Sequence, residues 1–266
     1  MVKKTLLLIL TLSILISGLG CVNQVANKDL EKDILYQYST IEALLEGIYD
    51  GNMTFGELKA HGDYGLGTIN ALDGEMIEVD GKFYQIKVDG IAYPIADNEK
   101  TPFAIVSFFD IDKSIIIKDT LTYEKFTTYL DDNLPSDNLY YVIVVKGNFD
   151  YIKTRSVPRQ KFPYVPLVKA IEEQKTFEFM NVNGTLVGFR IPKYIGNMNV
   201  PGYHFHFLTE DKKAGGHVLE LTIHDQQAFI DYTDNFFMKV PENELFYNLN
   251  SGQDKEEDVQ TVEKGK

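Results

Sequence analysis

This chain of 266 residues contains one cysteine and only three arginines, and its charge is strongly one-sided. A single cysteine excludes an internal disulfide and any metal site built from several thiolates. Acidic residues outnumber lysine and arginine by 39 to 26, so the formal net charge is −13. Because the sequence has no basic patch, we expect neither nucleic acid nor an anionic lipid surface as a partner.

The single cysteine, Cys21, closes an N-terminal leader. A short basic segment is followed at residues 6–16 by an apolar run that is too short to span a membrane comfortably. A sole cysteine at this place is typical of the lipid-modified first residue of an exported lipoprotein; an ordinary secretory signal cleaved nearby is the alternative. We therefore expect a signal peptide over residues 1–21, a polar tether over residues 22–34, and an exported protein that is anchored at the cell surface and meets the membrane only through this anchor.

The rest of the chain is long enough for a substantial core, as one large domain or two small ones. Asp-Gly pairs at residues 73–74, 80–81 and 89–90 separate short runs of alternating polarity, which predicts a meander of β-strands. A second series of strand-like segments runs between residues 176 and 232. Few helices are expected, and residues 122–133 have a clear helical spacing of apolar side chains.

Three of the five histidines, His204, His206 and His217, fall within fourteen residues. Alternate residues of a strand share a face, so His204 and His206 point the same way. The polar stretch before His217 predicts a hairpin loop, and pairing of Leu208 with His217 would put all three imidazoles on one face. Three protein ligands with open positions are typical of a catalytic zinc site. Imidazole also suits copper, iron and nickel, and packed structural histidines are the competing interpretation.

Other residues that could carry chemistry are few. Glu75 directly follows a predicted turn, and Arg155 and Arg159 are two of the three arginines, whose planar donors suit a carboxylate. Residues 65–68, Gly-Leu-Gly-Thr, lack the further glycine of a dinucleotide fingerprint and the lysine of a P-loop. A glycine-lined strand that a ligand approaches closely fits them better. His61 and His224 are interpreted as structural.

Several blocks of the chain resemble the signature blocks of the α-acetolactate decarboxylase family. They are residues 55–68 (FGELKAHGDYGLGT), 72–75 (LDGE), 153–160 (KTRSVPRQ), 184–189 (GTLVGF), 202–207 (GYHFHF) and 215–218 (GGHV). The resemblance runs in order from about residue 36 to the C-terminus, and it implies a fold, a site and an activity.

The implied fold is α/β (α+β), with two domains of mixed and antiparallel sheets, few short helices, and the zinc site on a β-hairpin of the C-terminal half. We place the N-terminal mixed-sheet domain at residues 35–165 and the β-rich zinc-binding domain at residues 166–250. Three prolines between residues 158 and 166 mark the expected boundary. The tail, residues 251–266, is expected to return toward the active site by docking Val259 and Val262 in one helical turn.

The implied site has two groups of residues. The resemblance assigns a zinc ion to three ligands, namely His204, His206 and His217. The resemblance also implies that the substrate site is lined by Thr68, Glu75, Arg155 and a glutamate of the tail. Glu263 matches that glutamate best, with Glu256 and Glu257 as the alternatives.

The implied activity is zinc-dependent decarboxylation of 2-acetolactate to acetoin and CO₂. The metal would chelate the hydroxyl and ketone oxygens and stabilise an enediolate, while Arg155 orients the carboxylate and Glu75 or Glu263 supplies a proton. No organic cofactor is needed, and a homodimer is left open. The alternative is a non-enzymatic zinc-binding surface lipoprotein, which would favour ligands in a solvent-facing, flexible segment rather than in an aromatic strand.

Overall fold

The computed structural model describes residues 33–264. The expected signal peptide and nearly all of the expected tether lie outside these residues. Within residues 33–264, no helix is long and apolar enough to cross a membrane.

The first sheet has seven strands, and six of them come from the N-terminal half of the chain. They are β1 (Ile34–Tyr38), β3 (Tyr64–Thr68), β4 (Glu75–Val79), β5 (Lys82–Ile86), β6 (Ala92–Pro94), β8 (Ala104–Ser107) and β16 (Asn235–Lys239). A separate pair joins β2 (Met53–Thr54) to β7 (Lys100–Thr101). The order of the large sheet is β16-β1-β8-β3-β4-β5-β6. Strand β1 runs parallel to β16, and all other neighbouring strands of this sheet are antiparallel.

The second sheet also has seven strands, all paired antiparallel. They are β9 (Lys113–Ile117), β10 (Leu121–Thr122), β11 (Tyr140–Ser156), β12 (Lys175–Ile191), β13 (Gly202–Thr209), β14 (Gly215–Ile223) and β15 (Gln226–Thr233). The order is β10-β14-β13-β12-β11-β15-β9, and the far half of β11 pairs with β14 as well. Strands β11, β12, β13 and β14 therefore form a closed ring, in which each strand pairs with the next and β14 pairs with β11.

The helices are short and lie between or beside the strands. They are α1 (Ile41–Leu45), α2 (Phe55–Leu58), α3 (Tyr123–Asp131), α4 (Leu167–Ala170), α5 (Glu244–Tyr247) and α6 (Glu256–Lys264), with 3₁₀ turns at Asn70–Leu72, Ile171–Glu173 and Lys193–Met198. The prediction of a sheet-rich, mixed α+β fold with few helices is confirmed. The meander is confirmed too: at the β4–β5 turn Asp80 and Gly81 both adopt positive φ, as an Asp-Gly hairpin turn requires.

A large apolar core lies between the two sheets. Ile77 of the first sheet, and Val187 and Phe189 of the second, belong to one cluster of buried side chains. Successive residues of a strand face opposite ways, so Glu75 shares the Ile77 face of β4 and points into this same layer. His204 and His206 stand opposite Phe189 and Val187 in the β12–β13 pair and share their face. The fold thus brings a carboxylate of one sheet toward two imidazoles of the other.

The sheets do not follow the expected division of the chain at residue 165. Strands β9 and β11 precede that residue but belong to the second sheet, because β11 forms a long antiparallel pair with β12. Strand β16 follows it but pairs with β1 of the first sheet. The division into two domains stays a prediction. The two sheets pack against each other through the core that lies between them.

Candidate active site

The three histidines lie on the hairpin of β13 and β14. The structure pairs His206 directly with His217, and Leu208 with Gly215. The predicted pairing of Leu208 with His217 is wrong by two residues, because Gly215 and Gly216 belong to β14 rather than to the loop. A shift of two residues preserves the face of every side chain, so the three imidazoles still share one face.

The three rings converge on one point. The Nε2 atom of His204 lies 3.2 Å from Nε2 of His206 and 3.0 Å from Nδ1 of His217. A tetrahedral zinc ion with bonds of about 2.0–2.1 Å sets its nitrogen ligands about 3.3 Å apart. All three side chains are buried, and among residues 33–264 they form the group that could hold a metal ion. The donor set and its spacing fit a zinc ion.

Hydrogen bonds to two carbonyls decide which nitrogens face the centre. His206 donates from Nδ1 to the Met76 carbonyl at 2.7 Å, and His217 donates from Nε2 to the Glu263 carbonyl at 3.2 Å. A carbonyl only accepts, so Nε2 of His206 and Nδ1 of His217 keep their lone pairs for a ligand. Burial lowers the pKa of His206 to about 3 and that of His204 and His217 well below the usual value. The imidazoles are therefore neutral, as metal binding requires.

Two carboxylates flank this cluster. The carboxylate of Glu75 lies on one side, with its Oε2 atom 3.6 Å from Nε2 of His206. The carboxylate of Glu263 lies on the other side, with its Oε2 atom 3.7 Å from Nε2 of His217 and 3.9 Å from Nε2 of His204. Burial raises the pKa of Glu75 to about 7 and that of Glu263 to about 8, and the charge of Arg155 opposes both shifts. Near neutral pH both groups can hold a proton.

Arg155 supplies the buried positive charge of the site. It stands opposite His217 in the β11–β14 pair, and 4% of it is exposed. Its Nε atom lies 3.7 Å from Oε1 of Glu75 but makes no hydrogen bond within the described part of the chain, and one Nη donates to Gln174 at 3.4 Å. Arg159 lies outside the cavity, where its exposed side chain meets Asp73. Arg155 is therefore the arginine that can receive an anion.

Thr68 is placed by its register on β3, where it pairs with Glu75. Its hydroxyl donates to the Gly74 carbonyl at 2.6 Å and so fixes the turn that precedes Glu75.

Two glycines allow strands to pack closely beside the site. A Cβ on Gly67 would fall 2.4 Å from the Phe103 carbonyl, so close strand packing excludes a side chain there. A Cβ on Gly216 would fall 2.4 Å from the Arg155 carbonyl at a φ of +132°, so glycine there lets β11 approach the histidine hairpin.

One cavity is lined by all seven predicted site residues. Apart from Val262, whose docking was expected, the apolar lining of the cavity was not predicted from the sequence; it is formed by Ile41, Leu44, Leu72, Phe103, Val157, Leu167 and Val262. Several of these come from α1, α4 and α6, whose short amphipathic patterns do not indicate a ligand. Among the tail glutamates, Glu263 enters the cavity, whereas Glu256 and Glu257 are exposed on the outer side of α6.

Comparison with known proteins covers the fold and most of this site. The family model for alpha-acetolactate decarboxylase matches residues 35–251. The alpha-acetolactate decarboxylase of Methanosarcina mazei is 51% identical over 87% of this chain and 81% of its own length. The enzyme of the same name from Bacillus subtilis is 40% identical over 89% of this chain and 93% of its own. Helix α6 begins after the last residue that the family model matches.

Solved structures give the same result. The crystal structure of alpha-acetolactate decarboxylase from Bacillus subtilis is similar with a TM-score of 0.84 at 40% identity, covering 86% of this chain and 99% of that one. A Staphylococcus aureus protein, described as of unknown function and similar to alpha-acetolactate decarboxylase, has a TM-score of 0.81 at 26% identity over 88% and 100% of the two chains. The similarity therefore extends through both sheets.

Proposed function

This chain belongs to the alpha-acetolactate decarboxylase family and is a carboxy-lyase, and from that premise we propose that it decarboxylates 2-acetolactate to acetoin with a zinc ion bound by three histidines. The observation that carries the proposal is the convergence of His204, His206 and His217 in the cavity that also contains Glu75 and Arg155. A protein that only stores or delivers metal would keep such ligands near solvent, and these are buried.

The role proposed for zinc is that of a Lewis acid. When bound, the ion stabilises the negative charge that develops on the former ketone oxygen as CO₂ leaves. Two of its three ligands are already oriented, because His206 and His217 donate to backbone carbonyls and present their other nitrogen to the centre. Such outer hydrogen bonds usually fix the tautomer and orientation of metal-bound histidines.

Arg155 is proposed to bind the substrate carboxylate. Its Nε–H has no hydrogen-bond partner within residues 33–264, although the side chain is almost fully buried. A buried donor without a partner costs free energy that an incoming carboxylate can recover through a charge-assisted hydrogen bond. Arg155 would hold the carboxylate so that its carbon–carbon bond can break with the electron pair moving toward the ketone.

Glu75 and Glu263 are proposed as the proton donors. After CO₂ leaves, the carbon that carried it needs one proton to give acetoin. The two carboxyl groups approach the histidine cluster from different elements, Glu75 beside His206 and Glu263 beside His217. Because burial raises the pKa of both, each can hold a proton in the resting enzyme and release it to the new carbanion.

The direct test is turnover of racemic 2-acetolactate by the purified protein, followed as CO₂ and acetoin. We expect one zinc per chain by elemental analysis, loss of activity after treatment with a chelator, and recovery when zinc is added back. Full activity in a preparation free of metal would contradict the proposal.

We also propose that the protein is exported and anchored at the cell surface through lipidated Cys21, with the segment between Cys21 and β1 as the tether. The Cys21→Ser variant should leave the membrane fraction or remain unprocessed, while its soluble domain keeps its decarboxylase activity. Native protein that carries an intact Met1 in the cytosol would contradict export.

A further inference from the structure

Helix α6 is docked on the fold by two valines. Val259 is 7% exposed and Val262 is 3% exposed, and both belong to the core cluster that includes Ile41, Leu44 and Leu167 of α1 and α4. The two positions are three residues apart, so they lie on one side of the helix. This side faces the cavity, and Val262 is part of the cavity lining.

Polar contacts hold the segment that leads into α6. The Gly252 amide donates to Oε1 of Glu42 at 2.8 Å. Lys255 Nζ lies 2.5 Å from Oε1 of Glu46 and 3.2 Å from Oδ2 of Asp258. Glu42 is buried and the Lys255 side chain is 15% exposed, so these contacts hold the segment more firmly than a fully exposed ion pair does. Docking of α6 therefore depends on these polar contacts, on the two valines and on what its last turn contacts in the cavity.

The last turn of α6 contacts a proposed metal ligand through its backbone. The Glu263 carbonyl accepts the Nε2–H of His217. A neutral imidazole has two tautomers, and only the one protonated on Nε2 leaves Nδ1 free to face Nε2 of His204. The equivalent partner of His206 is the Met76 carbonyl, which lies in the interior strand β4. His217 instead takes its partner from a nine-residue helix near the end of the chain.

We infer that α6 acts as a positioning element of the metal centre: its Glu263 carbonyl holds His217 in the metal-binding tautomer, so docking of the helix and retention of the metal stabilise each other. The inference rests on the proposed metal site. Coupling between two equilibria is reciprocal, so metal must protect α6 to the same degree that α6 retains metal. Loss of an outer hydrogen-bond partner of a ligand usually costs about 10–100-fold in metal affinity.

The test compares three single substitutions on α6 in the full zinc-loaded protein. Val259→Asp puts a charge into the docking side of the helix, at a residue that does not line the cavity. Gln260→Asp puts the same charge on the exposed side and is the matched control. Glu263→Gln removes the carboxylate but keeps the helix and its carbonyl. Lys255→Ala loosens the N-terminal end of α6 without altering the core, and it replaces Val259→Asp if that variant does not fold.

Two readouts are needed, and neither depends on catalysis. The first is the rate at which zinc passes to a chromogenic chelator, which we expect to rise about 10–100-fold in Val259→Asp and to stay at the wild-type value in Gln260→Asp. In Glu263→Gln it should rise less than in Val259→Asp, because the carboxylate near the cluster is lost but the helix and its carbonyl stay in place. If Lys255→Ala is used, its release should also be faster than in the wild type. The second is amide hydrogen exchange in residues 256–264, which we expect to accelerate when zinc is stripped from the wild-type protein.

The outcomes separate the two proposals. Wild-type release from Val259→Asp, or from Lys255→Ala in its place, would overturn the coupling. So would unchanged exchange in α6 after stripping, or release from Glu263→Gln as fast as that from Val259→Asp, which would assign the effect to the carboxylate. A wild-type protein that binds no zinc would instead refute the proposed metal site, and the coupling with it.

Discussion

The two carboxylates of the site reach the histidine cluster from elements with very different support. Glu75 begins β4, an interior strand that is hydrogen-bonded to β3 on one side and β5 on the other. Glu263 lies in the last turn of α6, which two valines and surface ion pairs hold in place. Its side chain is 16% exposed, against 9% for Glu75.

This difference separates the parts of the centre that the fold makes rigid from the part that can come loose. The carbonyl of Met76 and the carboxyl of Glu75 are adjacent on one strand, and both serve the His206 side of the cluster. The carbonyl and carboxyl of Glu263 together serve the His217 side. One side is thus built into a sheet, whereas the other depends on a terminal helix that must dock, and variants of the two sides should differ in what they lose.

The largest effect is expected on the sheet-supported side, from His206→Ala. Removing one of three ligands should abolish stable zinc binding. It should reduce kcat/KM by about 10³-fold or more, because a metal ion stabilises the transition state by several kcal/mol. Zinc content and turnover should fall together. His224→Ala is the control, because that ring is exposed and pairs with Asp150 at 2.6 Å, away from the cluster. Retention of zinc by the His206 variant would contradict the three-ligand site.

The next effect concerns Arg155, whose strand β11 also lies within a sheet. Arg155→Lys keeps the charge but loses the planar pair of donors, so we expect kcat/KM to fall about 10–100-fold with zinc fully retained. Arg159→Lys, outside the cavity, should behave as wild type. Wild-type kinetics for the Arg155 variant would contradict its role in binding the carboxylate.

A direct comparison of Glu75→Gln with Glu263→Gln tests the contrast between the two sides. Both substitutions remove an acid and preserve size, and we expect Glu75→Gln to lower kcat by about 10²-fold or more, as loss of a general acid does. Glu263→Gln should lower kcat less, because its carboxyl is more exposed and less firmly held. Steady-state kinetics at saturating substrate measure both. The reverse order would place the main proton donor on the terminal helix.

The parts of the site that could be predicted from the sequence are those set by local spacing. His204 and His206 are two residues apart on a strand, and an even register error leaves His217 on their face, so the cluster was predicted although the pairing was wrong. The Asp-Gly turns were predicted because glycine and aspartate adopt positive φ at low cost. The spacing of Val259 and Val262 likewise indicated a helix that docks.

What could not be predicted depends on contacts between distant segments. The parallel pairing of β1 with β16 joins residues 34–38 to 235–239, and no local pattern specifies such a partner. The second pairing of β11, with β14, arises because a 17-residue strand is long enough to serve two neighbours. The apolar wall from α1 and α4 is equally non-local. Even the choice of Glu263 over Glu256 and Glu257 depended on the resemblance and not on the residue type.

The last prediction concerns stability and not turnover, and it extends the comparison along β4 itself, from Glu75 to Glu78 on the opposite face. Glu78 is fully buried, and neither of its oxygens has a hydrogen-bond partner within residues 33–264. Burial raises its pKa to about 9; the charge of Asp63 adds to the shift and that of Lys59 opposes it. The folded protein therefore keeps Glu78 protonated across a range in which the unfolded chain has lost that proton.

The sign of the pH dependence follows from this difference. Between the ordinary pKa of 4.5 and the folded value of about 9, the folded state binds one more proton than the unfolded state. The free energy of unfolding should therefore fall by up to about 1.4 kcal/mol per pH unit from this group as pH rises. Glu78→Gln removes the dependence, so its stability relative to wild type should increase between pH 5.5 and pH 8.5 in urea unfolding. Glu210→Gln on the surface is the control, and parallel pH profiles for wild type and Glu78→Gln would show that the Glu78 carboxyl is already ionised in the folded protein.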